Sequence, residues 1–378
     1  MAMQERPPPG PAGVVVAHVP QVGDHASEHE RITLLDFARR LAALRGYEAG
    51  GMYEPARRPG GHVYFVPSST LVSAEAAALG IRGPDDLFGG VVPHAFVGTK
   101  AISHALVAPD APALDGWNPR FIARVQDAVL AGYVAFRRED ALEAGLRLLA
   151  RGALRIKPVR ASGGRGQSVA RDRAGLLARL AMTDDEETTA HGLVVEEDLE
   201  AVRTFSVGQL RVADLRASYY GYQRLTHSND GEEVFGGSDL AVVRGGFDAL
   251  CAPDLRPENR RAVEQARTYD AAVEACFPGF FASRRNYDVA LGRDAGGRWR
   301  SGVLEQSWRV GGATGPEIAA LEVLRREPHR MQVRTSGFEV FGDSPDPPPH
   351  ASVHFRGLDP EVGRLTKYTV VQPDVDTR

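Results

Sequence analysis

The segment from Lys157 to Ser168 places Gly163, Gly164 and Gly166 within four positions, directly after a stretch that alternates like a strand. Without Cβ atoms, consecutive backbone N–H groups can approach and point at phosphate oxygens. Lys157, at the end of the preceding strand, adds a mobile positive charge. The pattern is neither GxxxxGK[ST] leading into a helix nor GxGxxG at a strand-to-helix turn. Ser168, Val169 and Ala170 continue as a strand, so the loop joins two antiparallel strands and would close over a nucleotide as a flap. Ser162, Gly163, Gly164, Gly166 and Gln167 are its candidate contacts. In isolation the segment reads equally well as an ordinary glycine hairpin with a surface lysine.

A second constellation lies downstream. Asn286 to Leu291 forms a strand carrying Asp288, and Gly302 to Arg309 carries Glu305, Ser307 and Arg309. Asp294, Gly296 and Gly297 between them have the chemistry of a hairpin turn, and pairing the strands brings Asp288 near Glu305. Glu305, Ser307 and Arg309 alternate, so a regular strand turns all three to one side. Two carboxylates on one face suit Mg²⁺, which takes hard oxygen ligands and keeps positions open for ATP phosphates. Arg309 would then neutralise charge on a transferring phosphoryl group. Either strand alone reads as solvent-facing acids with a stabilising arginine.

The elements that must position these residues follow from periodicity. Val14 to Ala17 is a buried strand, Ile32 to Leu44 a helix stopped by Gly46, Val63 to Pro67 a strand, and Ala74 to Leu79 a helix. That alternation predicts a mostly parallel sheet. The Gly/Pro turn over 87–93 marks a first boundary, and Pro109, Pro112 and Pro119 break up the connector that follows. Next come a helix over Asp140 to Ala150, a strand over Leu154 to Val159, a helix over Ala174 to Met182 and a strand from Gly192 to Glu196. Strand patterns recur at 204–207, 217–222, 240–243, 287–291 and 301–304, with a long helix from Asn259 to Cys276. After Pro328 the chain is expected to be irregular. The fold class is α/β, grading into α+β.

The composition is that of a soluble enzyme: 378 residues, 43% hydrophobic, 25% charged, with 41 Gly and 25 Pro. A net charge of −4 supplies no general field for nucleic acid or an anionic membrane. Cys251 and Cys276 have neither CxxC spacing nor nearby histidines and read as free thiols. The N-terminus lacks a basic start with an apolar run, so a cytoplasmic location is expected. His25, Glu28 and His29 spell HxxEH, but Ser27 and Glu28 also make good capping residues, and helix capping is the preferred reading. Tyr219, Tyr220 and Tyr222 next to Arg224 could stack on RNA, yet strand packing explains them more simply. Arg203, Arg224, Arg244 and Arg285 (or Arg284) are candidates to receive an anionic substrate.

In order and spacing, the Lys-Pro strand, the glycine flap, an apolar strand ending in Glu196, Glu197, Asp198 and Leu199, then Asp288 and Glu305, resemble the ATP-grasp superfamily over about 95–325. The chain is also similar to an uncharacterised bacterial ATP-grasp-related family in which Leu-Glu-Gln-Ser-Trp-Arg and Tyr-Gly-Gly-Ser-Asp-Leu recur, here Leu304 to Arg309 and Phe235 to Leu240. The resemblance implies an ATP-grasp fold in which an N-terminal parallel α/β subdomain (1–95) precedes two subdomains clasping ATP (96–200 and 201–330), with a tail over 331–378. It implies that Lys157 and the earlier Lys100 contact phosphates, that Glu196, Glu197 and Leu199 line the adenine and ribose hinge, and that Asp288, Glu305 and Ser307 face Mg²⁺. Ser307 stands where that family usually has asparagine. The implied activity is phosphorylation of a carboxylate by ATP and Mg²⁺, then attack by an amine, thiol or other nucleophile, with Arg309 and Lys157 stabilising charge. The implied partners are a small-molecule carboxylate and a nucleophile, with a homodimer left open. The alternative is a nucleotide-binding protein of the same fold that has lost catalysis through Ser307.

Overall fold

The computed structural model describes residues 12–20, 26–57, 60–160, 166–251, 255–343 and 345–373. The chain opens with β1 (Gly13–His18), α1 (Glu28–Arg45), β2 (Glu48–Met52) and β3 (His62–Pro67). β1 is central, parallel to both neighbours, as the strand and helix alternation predicted. Val14, Val15, Val16 and Ala17 are all buried, and a strand covered on both faces reads as an unbroken apolar run. Ser27 caps α1 in a box with Glu30, so the HxxEH segment is a helix start. His25 lies outside the described residues.

A small sheet follows, with β4 (Leu71–Val72), α2 (Ser73–Leu79) and β5 (Gly90–Val92). The next unit holds α3 (Pro119–Val125), β6 (Gly132–Ala135), α4 (Arg138–Leu149), β7 (Leu154–Pro158), β8 (Ser168–Ala170), α5 (Arg173–Leu180), α6 (Asp185–His191) and β9 (Leu193–Glu197). Its four strands are ordered β6-β9-β7-β8 and wholly antiparallel. β7 and β8 flank the glycine segment as an antiparallel pair, the geometry expected of a flap.

The rest of the chain builds an eight-stranded antiparallel sheet. β10 (Glu200–Val212), β11 (Leu215–His227) and β12 (Glu233–Arg244) form a meander, followed by α7 (Pro257–Cys276) and β13 (Phe281–Ala282), which joins β5. β14 (Arg284–Arg293) and β15 (Trp299–Ser307) form the expected hairpin, whose turn is closed by Asp294 accepting from the N–H groups of Gly296 and Arg298. α8 (Thr314–Arg326) precedes β16 (Gln332–Phe341), β17 (Ser352–Asp359) and β18 (Gly363–Val371). The sheet order is β15-β14-β10-β11-β12-β16-β18-β17. The irregular tail expected after Pro328 is therefore corrected: its strands complete the sheet and pack on α1 and α8.

Each face of this sheet has its own core. One face buries Phe205, Val207, Tyr287, Val289 and Val303 with residues of α7. The other buries Leu210, Ala217, Tyr219, Leu240 and Val242 with α1 and α8. Farther along that second face the apolar row gives way to Ser206, Gln223, Asn286, Asp288 and Glu305. Among the described residues, no helix is long and apolar enough to cross a membrane.

Candidate active site

On the four-stranded sheet, Lys157 is the penultimate residue of β7 and Glu196 of β9, in strands paired directly. The Lys157 ammonium contacts Glu196 Oε1, and His104 Nε2 lies 3.1 Å from Glu196 Oε2. All three side chains are buried. Burial alone would push the Glu196 carboxyl up, but Lys157 and then His104 outweigh it and hold the group down at about 2. Glu197 faces away from this cluster: its Oε1 accepts from the Ala131 N–H at 3.0 Å and from Arg300 at 3.3 Å. Leu199 packs with Leu130, Ala290 and Leu304 in an apolar cluster where the two large elements meet.

The end of the glycine segment is tied to the same region. Gly166 has φ +68°, a left-handed conformation that glycine adopts freely. Gln167 Oε1 accepts from Arg155 at 3.4 Å, and Arg155 pairs with Asp198 at 2.7 Å. Ser162, Gly163 and Gly164 lie outside the described residues.

On the eight-stranded sheet, Asp288 and Glu305 are direct cross-strand partners, as the hairpin predicted. Ser206 Oγ donates to Asp288 Oδ1 at 3.2 Å, Asn286 Nδ2 donates to it at 2.9 Å, and Gln223 Nε2 supports Ser206 at 3.1 Å. Burial and then the facing Glu305 push the Asp288 carboxyl up to about 6, against the downward pull of these donors. Such repulsion is what a divalent cation relieves, and two carboxylates are hard donors of the kind Mg²⁺ takes, so the pair fits that ion. Among the described residues no third His, Cys, Asp or Glu joins them.

A short helical turn, Lys100–Ser103, links the two halves. Lys100 Nζ lies 3.2 Å from Glu305 Oε2. Four residues later His104 meets Glu196 and so reaches Lys157. Four residues span at most about 14 Å of extended chain, which bounds the distance between the attachment points. Gln306, on the opposite face of β15, fixes the turn by donating to the Val97 carbonyl at 2.9 Å and the Thr99 carbonyl at 2.6 Å.

The remaining expected residues divide. Ser307 Oγ accepts from Arg284 Nη1 at 3.2 Å, and the same nitrogen donates to the Ser307 and Arg309 carbonyls. Arg309 lies just past the end of β15, and its guanidinium donates to the Val310 carbonyl at 2.8 Å. Arg203 is exposed beside Glu258, and Arg224 pairs with Asp239 over the Phe338 ring. Arg203, paired with Leu291 on the face opposite Asp288, is not brought to the candidate site, and neither are Arg244 and Arg285. Arg244 donates to the Leu324 and Arg330 carbonyls near the end of α8, while Arg285 sits on the opposite face with Asp270 and Glu274. Arg284 is fully buried and held by Glu317. Sequence reasoning missed His104, Ser206, Gln223, Asn286 and Gln306; of these, Asn286 was legible, two residues before Asp288 on the same face.

The family model described as "Protein of unknown function (DUF3182)" matches residues 15–369. The chain belongs to this family. No curated protein sequence matches it significantly. Among solved structures, this DUF3182 chain resembles biotin carboxylase from Campylobacter jejuni in a β,γ-ATP complex, at 11% identity and a TM-score of 0.55, over 96% of this chain and 87% of that one. It also resembles N5-carboxyaminoimidazole synthetase from Staphylococcus aureus complexed with ADP, at 12% identity and a TM-score of 0.54, over 99% and 97%. Carboxyaminoimidazole ribonucleotide synthase from Aspergillus clavatus complexed with ATP gives 13% identity and 0.51, over 94% and 93%. At these identities the likeness is one of fold, and that fold is ATP-grasp.

Proposed function

We propose that the chain is an ATP- and Mg²⁺-dependent ligase that activates a small-molecule carboxylate as an acyl phosphate for attack by an amine or other nucleophile. The observation that carries the reading is the turn that hands Lys100 to Glu305 and His104 to Glu196 and Lys157. It ties Lys100 to Glu305 and, through His104, to the Glu196 carboxylate that Lys157 contacts from β7. In this reading Lys157 and Lys100 hold the phosphates, Leu199 and its apolar neighbours border the base, and Asp288 and Glu305 hold Mg²⁺. Bound there, Mg²⁺ supplies charge neutralisation at the transferring phosphoryl group. Arg309, two residues past the strand that carries Glu305, shares that role and aligns the acid. Residues 96–200 would form the lid side and 201–330 the metal side, in a cytoplasmic setting.

The test is incubation with MgATP and pooled small carboxylates and amines, followed by mass spectrometry. ADP and a new condensation product are expected, and Glu305→Gln should lower turnover by about 10² or more. Unchanged turnover in that variant, or AMP and pyrophosphate in place of ADP, would overturn the reading. ATP binding with no ADP release would point to the non-catalytic alternative.

A further inference from the structure

We infer that Asn286, and not Ser307, supplies the neutral protein oxygen of the divalent-cation site, its amide turned so that Oδ1 faces Asp288 and Glu305. The inference rests on the proposed reading of those two carboxylates as a metal pair.

The register places the four residues in one block. Asp288 faces Glu305 across β14 and β15, and Asn286 faces Ser307 one step along the same side of the sheet. Cβ atoms of directly opposed residues lie about 5 Å apart, so Asn286 and Ser307 are both near enough to contribute. Their surroundings decide between them. Ser307 Oγ already accepts from Arg284, a buried guanidinium anchored by Glu317 and fastened to the carbonyls on either side of Trp308. That cation takes up a lone pair and stands beside the oxygen that would have to bind a second cation. The Ser307 site therefore suits an anion better than a metal.

Asn286 is already in contact with one member of the pair, its amide 2.9 Å from Asp288 Oδ1. The other end of the same amide meets the Tyr219 hydroxyl at 2.8 Å, and that hydroxyl also contacts the Glu317 carboxylate. With Oδ1 toward Tyr219, a single phenolic proton faces two acceptors, and only one can receive it. Turning the amide by half a rotation lets Nδ2 donate to the Tyr219 oxygen while the Tyr219 O–H donates to Glu317. Each donor then has its own acceptor. The same half-turn brings Oδ1 against the Asp288 carboxylate, an arrangement that repels unless a cation lies between them. Glu317, Tyr219 and Asn286 thus form a chain, starting in the first turn of α8, that aims an amide oxygen at the acids. No sequence spacing reveals it, because Tyr219, Asn286 and Glu317 come from three distant elements.

Mn²⁺ serves as the probe, with affinity read from the electron paramagnetic resonance of the free ion in the presence of ADP. Asn286→Ala should weaken Mn²⁺ binding roughly ten-fold or more, and Asn286→Asp should bind at least as tightly as the natural chain. Tyr219→Phe keeps the ring but removes the hydroxyl that orients the amide, and should weaken binding several-fold with the melting transition preserved. Ser307→Ala should stay within about two-fold. Weakening by Ser307→Ala together with unchanged binding in Asn286→Ala or Tyr219→Phe overturns the inference. If Glu305→Gln abolishes binding while Asn286→Ala does not alter it, only this inference fails. If Glu305→Gln leaves Mn²⁺ bound as before, the metal-pair reading falls and this assignment with it.

Discussion

Glu196 carries two partners, Lys157 and His104, in a place water does not reach, and the contest there between burial and these two partners sets how the group responds to acid. Its carboxyl, ordinarily near 4.5, is held at about 2 in the folded state. A group lowered by folding contributes stability that is present above its unfolded value and is lost as the pH falls through the folded value. The window here runs from 4.5 down to about 2, and the difference corresponds to about 3 kcal/mol. Glu196→Gln should therefore cost about 3–5 kcal/mol at neutral pH, since Lys157 is left buried and charged without its counterion. The gap to the natural chain should narrow below pH 4.5, where the unfolded natural chain takes up a proton that the folded chain accepts only near pH 2. Urea unfolding followed from pH 7 downward reads this directly, and a gap that stays constant toward pH 2 would refute it.

At the scale of elements, the candidate site depends on how β15 meets the segment leading into β6. The Val303 N–H donates to the Ala128 carbonyl at 2.8 Å, and a bridge joins Val129 to Val303. Gly302 permits this approach: a Cβ there would lie 2.4 Å from the Leu130 nitrogen and 2.4 Å from the Val129 carbonyl carbon. Neither is the flexible end of a side chain, so backbone must move. Gly302→Ala should cost more than about 2 kcal/mol, since overpacking of this kind costs about 1–3 kcal/mol even where side chains can yield. It should also spread the Leu130, Leu199, Ala290 and Leu304 cluster and weaken ATP binding more than it slows turnover at saturating ATP. Calorimetry of unfolding and of nucleotide binding checks both parts, and wild-type affinity in the variant would refute the second. This junction also shows what the sequence makes legible. Strands with strongly apolar faces, such as 154–159 and 287–291, and the helix over 259–276 were readable from period alone. α8 was hidden behind Gly311 and Gly312, and β16 turns Thr335 and Gly337 to its buried face, so alternation there carries almost no apolar contrast. In the site, paired acids and glycines were visible by type, whereas His104 and Gln306 act through contacts 92 and more than 200 positions away.

For the molecule as a whole, those strands decide whether the N-terminal unit has anything to pack against. The core beneath α1 draws on Val15 and Phe37 at one end of the chain and on Leu324 and Val333 at the other. Polar clamps join the same parts: Arg40 grips Glu322 through two hydrogen bonds at 2.8 and 2.7 Å, His354 Nδ1 meets Asp36 at 2.9 Å, and the His29 N–H donates to Asp359 at 2.9 Å. Ending the chain at residue 330 deletes three of the eight strands, bares the β12 edge and strips the outer cover from α1 and α8. If residues beyond 330 were an appendage, the shortened chain would melt within a few degrees of the full one and keep its nucleotide affinity. Because the core is shared, the expected result is loss of a single cooperative transition, binding of a dye that reports exposed apolar surface, and loss of ATP binding although no expected nucleotide contact has been removed. Differential scanning calorimetry with a dye titration distinguishes the two, and a sharp transition in the shortened chain would show the N-terminal and cleft units folding without those strands.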